Sequence, residues 1–105
     1  MQDFDRANDR RFAPGAVVEA TKENVYCELD GESVILNMAD GVYYGLNQVG
    51  HRIWEIIQTP TTIDDIVATL LDEYESGADQ CRTDVEDLIA DLLEKGLVAV
   101  NAPAA

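Results

Sequence analysis

The chain has 105 residues, 47% of them hydrophobic, which suits one small domain with a modest core. Its formal net charge is −14, from 21 acidic and 7 basic side chains and a single histidine. That balance argues against nucleic-acid binding, which needs a basic surface, and against binding to anionic membranes.

The charge is unevenly distributed. Residues 1–11 sum to zero, whereas the segment from Asp64 to Glu94 has eleven acids and one base, Arg82. The acidic surface either keeps the protein soluble or attracts a basic partner. No apolar run is long enough to span a membrane, and the charged N-terminus lacks the apolar region of a signal peptide, so we expect a cytoplasmic protein.

We expect one domain over residues 14–100, between flexible tails at 1–13 and 101–105. The first tail is polar and has no hydrophobic periodicity, and Pro14-Gly15 then forms a turn. Val17–Ala20 is a candidate first strand.

Two Asp-Gly pairs, at residues 30–31 and 40–41, separate short apolar and aromatic segments. This is the strongest short-range signal for a β-hairpin. The segments Val25–Leu29, Ser33–Met38 and Val42–Leu46 are therefore predicted to form a three-stranded antiparallel meander. The last strand has one edge without a partner in this meander.

If both turns have two-residue loops, side chains alternate between two faces of this sheet. One face carries Val25, Cys27, Leu29, Val34, Leu36, Met38 and Tyr43. The other carries Tyr26, Glu28, Ile35, Asn37, Val42, Tyr44 and Leu46. The first face is the more uniformly apolar, so we expect it to face the core.

From Asn47 the hydrophobic period changes from two to 3.6, which predicts a helix capped by Asn47. Trp54 lies beside its apolar stripe as a core residue, and Thr59-Pro60 ends the helix. Thr61 or Thr62 caps a second amphipathic helix, which Ser76-Gly77 ends.

A third helix follows. Thr83 and Glu86 match a capping box, or the helix begins earlier, near Gln80. Gly96 is the predicted C-cap, and Leu97–Val100 is a short terminal strand.

The predicted fold class is α+β. It has a small N-terminal antiparallel three-stranded sheet and a three-helix, winged-helix-like body with a short C-terminal strand. A winged helix usually suggests DNA binding, but the third helix here is acidic and would be repelled by phosphates.

No catalytic or metal site can be assembled from the sequence. His51 points off the apolar stripe, and Cys27 and Cys81 are far apart without a CxxC pair, so both are expected to be reduced thiols. The glycines lie at turns or in a strand rather than in a phosphate-binding loop. We therefore expect no enzyme activity, no metal and no cofactor, and we interpret the chain as a binding module.

Three segments resemble the PqqD family, the recognition domains for precursors of ribosomally made, modified peptides. They are GVYYGLNQVGHRIWEIIQ, TTIDDIVATLLDEY and CRTDVEDLIADLLEKGLV. The resemblance covers about residues 15–100. Its most specific pieces are Leu46-Asn47 with Gly50, Ile53-Trp54-Glu55, Asp84-Val85 and Gly96-Leu97-Val98. The length of the chain and its YYGLN segment are most similar to stand-alone recognition proteins of lasso-peptide pathways.

The resemblance implies a protein that binds the leader segment of a precursor peptide and presents it to a partner enzyme. The leader adds as a strand to the open sheet edge, in a groove beside the third helix. The implied partner is a leader peptidase or another modifying enzyme, such as the radical enzyme of pyrroloquinoline quinone synthesis. The implied peptide-binding residues are Val42, Tyr43, Tyr44, Gly45, Leu46, Asp84, Val85, Leu88, Asp91 and Leu92.

Such binding is physically reasonable because an added strand satisfies the free backbone groups of a sheet edge. From sequence alone, Val85, Leu88 and Leu92 belong either to the groove floor or to the core. Two other functions stay open: a PqqD-type peptide chaperone for a radical enzyme and a generic protein-interaction winged helix. We expect a monomer, with dimerisation through the free edge as the alternative.

Overall fold

The computed structural model describes residues 12, 15–30, 32–74 and 77–101, and the predicted tails lie almost wholly outside these ranges. Phe12, within the first predicted tail, is partly buried against the core. In chain order the elements are β1 (Val17–Ala20), β2 (Asn24–Leu29), β3 (Glu32–Asn37), β4 (Tyr43–Leu46), α1 (Gln48–Ile56), β5 (Thr61–Thr62), α2 (Ile63–Glu73), α3 (Ala78–Glu94) and β6 (Val98–Asn101).

The strands form two antiparallel sheets. The predicted meander is confirmed as a sheet of order β2–β3–β4, and a second sheet has the order β5–β1–β6. The second sheet joins residues about 80 positions apart, such as Val17 and Asn101. The predicted α+β fold class is confirmed.

The two hairpins differ in loop length. Leu29 pairs with Glu32, as predicted for a two-residue connection, and Asp30 has a positive φ of 54°. The second connection is longer than expected: the Asn37 amide donates to the Val42 carbonyl at 2.8 Å, which leaves residues 38–41 as a four-residue loop. Because the loop is two residues longer, the division of side chains between the faces is unchanged.

The prediction of which face is buried was wrong. Ile35 and Leu46 of the mixed face are 0% and 8% exposed, whereas Val25, Met38 and Tyr43 of the more apolar face are 45%, 59% and 68% exposed. The chain leaves β4 at Leu46 directly into α1, so the helices fold against the face that carries Leu46. Connectivity therefore outweighs the count of apolar side chains.

The predicted helices are confirmed. The side chains of Asn47 and Thr62 cap α1 and α2, where they accept hydrogen bonds from the amides of Gly50 and Asp65. The predicted core position of Trp54 is also confirmed, since this side chain is 4% exposed.

The third helix begins earlier than the capping-box pattern indicated. α3 starts at Ala78, and the hydroxyl of Thr83 donates to the Asp79 carbonyl one turn earlier, inside the helix. The C-cap is confirmed: Gly96 has φ 74°, and the amides of Gly96 and Leu97 donate to the carbonyls of Leu93 and Leu92. This is a Schellman motif, and it turns the chain from α3 towards β6.

Candidate functional site

β4 is the strand at one open edge of the meander. One hydrogen bond shows which of its residues turn their backbone groups towards β3 and which turn them towards the open edge. The Asn37 amide donates to the Val42 carbonyl, so these two residues form a hydrogen-bonded pair. Antiparallel pairs alternate between bonded and non-bonded, and therefore Tyr44 and Leu46 also turn their backbone groups towards β3. The amides and carbonyls of Tyr43 and Gly45 consequently point outward along the open edge.

β2 also has an unpaired side in this sheet, but it is β4 that lies beside the groove formed with α3. A cavity of about 440 Å³ separates β4 and the start of α1 from α3. The groove is lined by residues of β4, of the start of α1 and of α3, and the α3 residues include three aspartates. The residues are Tyr44, Gly45, Leu46, Asn47, Val49, Gly50, Ile53, Asp84, Asp87, Leu88 and Asp91.

The floor of the groove depends on a close approach between β4 and α1. A Cβ atom on Gly50 would lie 3.2 Å from Leu46 Cδ2 and 3.3 Å from Asn47 Oδ1, tighter than ordinary contact. Glycine at this position therefore allows α1 to start directly beneath the strand edge. The half-exposed Val49 adds apolar surface at the same place.

Tyr44 joins β4 to α3 towards the C-terminal end of the helix. Its hydroxyl donates to Asp91 Oδ2 at 3.2 Å, and Lys95 Nζ lies 5.9 Å from the ring centroid. Burial, and then the neighbouring Asp91 carboxylate, raise the pKa of the Tyr44 phenol above its usual value of 10.0. Tyr44 is therefore a neutral donor to Asp91 at neutral pH.

A buried asparagine holds the same region together from the sheet side. Asn37 is 5% exposed; its Nδ2 donates to the Lys95 carbonyl at 2.9 Å, and its Oδ1 accepts from the Ala39 amide at 2.9 Å. This pair of bonds, which we call the Asn37 clasp, connects the end of β3 and its loop to the end of α3. The sequence placed Asn37 on the mixed face but gave no sign of this contact.

The α3 wall of the groove is acidic. Asp84, Asp87 and Asp91 lie one turn apart and are exposed, with Leu88 half-buried among them. Asp84 also accepts a hydrogen bond from the Gln80 amide group at 2.8 Å. This wall therefore combines apolar surface with negative charge.

The structure separates the ten predicted site residues into three groups. Tyr44, Gly45, Leu46, Asp84, Leu88 and Asp91 line the groove. The side chain of Tyr43 is exposed on the sheet face that points away from the helices, and Val42, just before it, is 41% exposed. Val85 and Leu92 are 0% exposed in the core, beneath the groove rather than in it.

Asn47, Val49, Gly50, Ile53 and Asp87 also line the groove but were not among the ten residues. For Asn47 and Gly50 the signal was present in the sequence, since both belong to the segment that carries the family resemblance.

A second cavity, of about 590 Å³, opens beside the start of α1 near Glu28, Glu32 and His51. The hydroxyl of Tyr26 lies 3.0 Å from both Ser33 Oγ and His51 Nδ1, and His51 Nε2 lies 3.3 Å from Glu55. These contacts tie β2 and β3 to α1, so the half-buried histidine has a structural role that the sequence did not predict.

Among the described residues, no group of three or more His, Cys, Asp or Glu side chains is arranged to hold a metal ion. None of the helices in the described ranges is long and apolar enough to cross a membrane.

The architecture is that of a small α+β domain with a winged-helix-like body and an open strand edge facing a groove. The sequence profile of the family described as "Coenzyme PQQ synthesis protein D (PqqD)" matches residues 32–98, more than half of the chain. The chain belongs to the PqqD family.

Two solved structures resemble the whole domain. "TbiB1 in Complex with the TbiA(beta) Leader Peptide" is 28% identical, covers 83% of this chain and 99% of that chain, and has a TM-score of 0.68. "Lasso peptide synthetase B1 complexed with the leader peptide" is 23% identical, covers 78% and 96%, and also has a TM-score of 0.68; at this identity it supports the fold alone. No curated protein matches the chain.

Proposed function

We propose that the chain binds the leader segment of a ribosomally made precursor peptide by strand addition and delivers it to a modifying or leader-cleaving enzyme. Family membership and the resemblance to TbiB1, which was solved with a leader peptide, support this function. They favour a pathway of the lasso-peptide type. The chain acts as a binding protein rather than an enzyme, in the cytoplasm where precursors are synthesised, and as a monomer.

The observation that carries the proposal is the free edge of β4 beside the groove. The outward amides and carbonyls of Tyr43 and Gly45 offer a pairing partner to an extended peptide. Alternate side chains of that peptide then enter the groove, where Leu46, Leu88 and Ile53 offer apolar contacts.

The proposed binding residues have distinct roles. Val42, Tyr43, Tyr44, Gly45 and Leu46 form the edge, Leu88 supplies groove surface, and Asp84 and Asp91 form the rim. Val85 and Leu92 support the α3 wall from the core, where they are fully buried. Rim charges mainly affect association rate and selectivity.

The proposal is tested by replacing Gly45 with proline. Gly45→Pro removes an amide that points to the open edge and not to β3, so the sheet keeps its internal bonds while the leader loses a backbone donor. We expect the affinity for the leader of the precursor encoded beside this chain to fall by about tenfold or more. Fluorescence anisotropy with the labelled leader measures this change.

Gly45→Ala is the matched control. An added Cβ meets nothing within 4 Å, so the variant keeps the fold, and its amide remains available. Leader binding by Gly45→Ala should stay close to wild type. Equal affinities for Gly45→Pro and the wild type, with both proteins folded by circular dichroism, would place the peptide elsewhere.

The second candidate is a peptide chaperone for a radical enzyme of the type used in pyrroloquinoline quinone synthesis, which the matched family description favours. It uses the same edge but a different precursor. Anisotropy against both kinds of leader, from the chain's own gene neighbourhood and from a quinone-cofactor pathway, distinguishes the two.

A further inference from the structure

The outward face of the β2–β3–β4 sheet is apolar and uncovered. Val25, Met38 and Tyr43 are 45%, 59% and 68% exposed, and Cys27, Val34 and Leu36 beside them are half-buried. We call these six residues the outer face. A Cβ added at Gly45, on the same side of the sheet, would meet nothing within 4 Å, so the face is open up to the edge of β4.

The charge pattern of this face differs from that of the rest of the chain. The chain carries 21 acidic residues, yet the outer face has none. Among the described residues, exposed acids lie at its two ends and include Glu32, in the first position of β3, and Glu23, whose carbonyl accepts from the Met38 amide. An apolar centre depleted of charge, with charged residues at its margin, is typical of the buried part of a protein–protein interface.

A second copy of the chain fits this face poorly. Stacking two outer faces would bring together two molecules of net charge −14 and their marginal glutamates. Charge complementarity instead favours a partner with an apolar patch and basic residues around it.

A bound leader would extend this surface. A strand added beside β4 widens the sheet by about 4.8 Å, and every second side chain of that strand lies on the outer face. A protein that docks on the outer face therefore meets the leader and its carrier together.

We propose that the outer face is the docking surface for the enzyme that processes the bound precursor, through an apolar patch on that enzyme bordered by lysine or arginine. This inference rests on the proposed leader-binding function. It assigns a second surface to the chain, separate from the groove, and a role to exposed apolar side chains that leader pairing does not use, since the leader pairs with the backbone of Tyr43 and not with its side chain.

Cys27 provides a natural reporter for the test. It lies on β2, two strands away from the β4 edge, and is half-buried on the outer face, whereas Cys81 is 6% exposed in the core. Maleimide modification followed by mass spectrometry measures both rates in one molecule. The chain is assayed alone, with its leader, with the purified leader peptidase encoded beside it, and with both.

We expect the peptidase, with or without leader, to slow the modification of Cys27 by about tenfold when its concentration is about ten times Kd. The leader alone should leave the rate unchanged, and Cys81 should stay unmodified throughout. Val25→Asp and Met38→Asp, each at an exposed position, should weaken peptidase binding about tenfold or more in a titration while leader affinity stays at the wild-type value. Val49→Asp in the groove should weaken leader binding and leave peptidase binding at the wild-type value.

Several results would overturn the proposal. An unchanged Cys27 rate in a peptidase complex demonstrated by size-exclusion chromatography would place docking elsewhere. Protection that grows with the concentration of the chain alone would assign the face to a second copy. Protection of Cys27 by the leader alone would place the peptide on the outer face, and it would also contradict the proposed binding of the leader at the β4 edge. Absence of any peptidase complex would refute the outer-face proposal while leader binding, measured separately, stands.

Discussion

Tyr44 is the residue through which the strand edge and the α3 wall make polar contact. Its phenol donates to Asp91, and the contact exists only while the phenol is protonated. Because burial and Asp91 raise its pKa, the folded state holds this proton more tightly than the unfolded state does. The stabilisation is fully present below the ordinary pKa of about 10 and is lost as pH rises through the higher, folded-state pKa.

We therefore expect Tyr44 to ionise above pH 10 in the native protein. The measurement is the tyrosinate absorbance of the wild type minus that of Tyr44→Phe as pH is raised. The wild type should also lose stability relative to Tyr44→Phe over the same alkaline range. A difference titration centred at or below about 10 would contradict the contact with Asp91.

Other residues show where sequence reasoning was limited at this scale. The caps at Asn47 and Thr62 were predictable, because each depends on an amide only three residues away. The Asn37 contact with Lys95 was not, since it joins residues 58 positions apart. The structural contacts of His51 with Tyr26 and Ser33 escaped prediction for the same reason.

At the scale of elements, α3 presents one face to the core and another to the groove. Leu92 is 0% exposed, whereas Leu88, one turn earlier, is half-buried and lines the groove. The sequence predicted the apolar stripe but did not separate these two environments, because both positions satisfy the same helical period.

Substitution of the two leucines should separate their roles. Leu92→Ala should lower the free energy of unfolding by about 2–5 kcal/mol, because it leaves a cavity in the core. Leu88→Ala should cost less stability but weaken leader binding several-fold. Urea unfolding and anisotropy measure the two effects, and a Leu88→Ala protein that binds the leader like the wild type would remove Leu88 from the site.

The strands illustrate a similar limit. Asp-Gly pairs marked both turns of the meander, and the alternation of side chains along the strands was correct. The buried face was assigned wrongly because the count of apolar side chains favoured the face of Val25 and Leu36, whereas the direct passage of the chain from Leu46 into α1 decides which face the helices cover. The strands Val17–Ala20 and Leu97–Val100 were predicted, and they correspond to β1 and β6. Their pairing into one sheet with the two-residue β5 was missed, since contacts between distant segments leave little local signal.

At the scale of the whole molecule, we expect repulsion among the acidic residues to affect stability more than the ion pairs on the surface do. Arg52 makes a two-pronged contact with Glu73, at 2.9 and 2.7 Å, that joins α1 to α2, but exposed pairs of this kind contribute little. The net charge of −14 acts over the whole surface of the folded chain.

We therefore expect salt to stabilise the fold. Raising NaCl from about 0.01 to 0.15 M shortens the Debye length from about 30 to about 8 Å and should raise the urea midpoint of unfolding. In Arg52→Gln the urea midpoint should rise more than in the wild type. The wild type loses part of its favourable contact between Arg52 and Glu73 when salt screens it, and the variant has no such contact to lose. A midpoint that falls with salt in the wild type would mean that specific ion pairs dominate.

The Asn37 clasp has a consequence for how a peptide is received. It ties the end of β3 and its loop to the end of α3 before any ligand arrives, and an added Cβ at Gly96 would come within 3.0 Å of Asn37 Nδ2 and disturb it. The loss of conformational freedom on association then falls almost entirely on the peptide. The affinity for a leader should accordingly depend on how readily that leader becomes extended. Of two leaders with the same contacting side chains, the one that is already extended when free should bind more tightly.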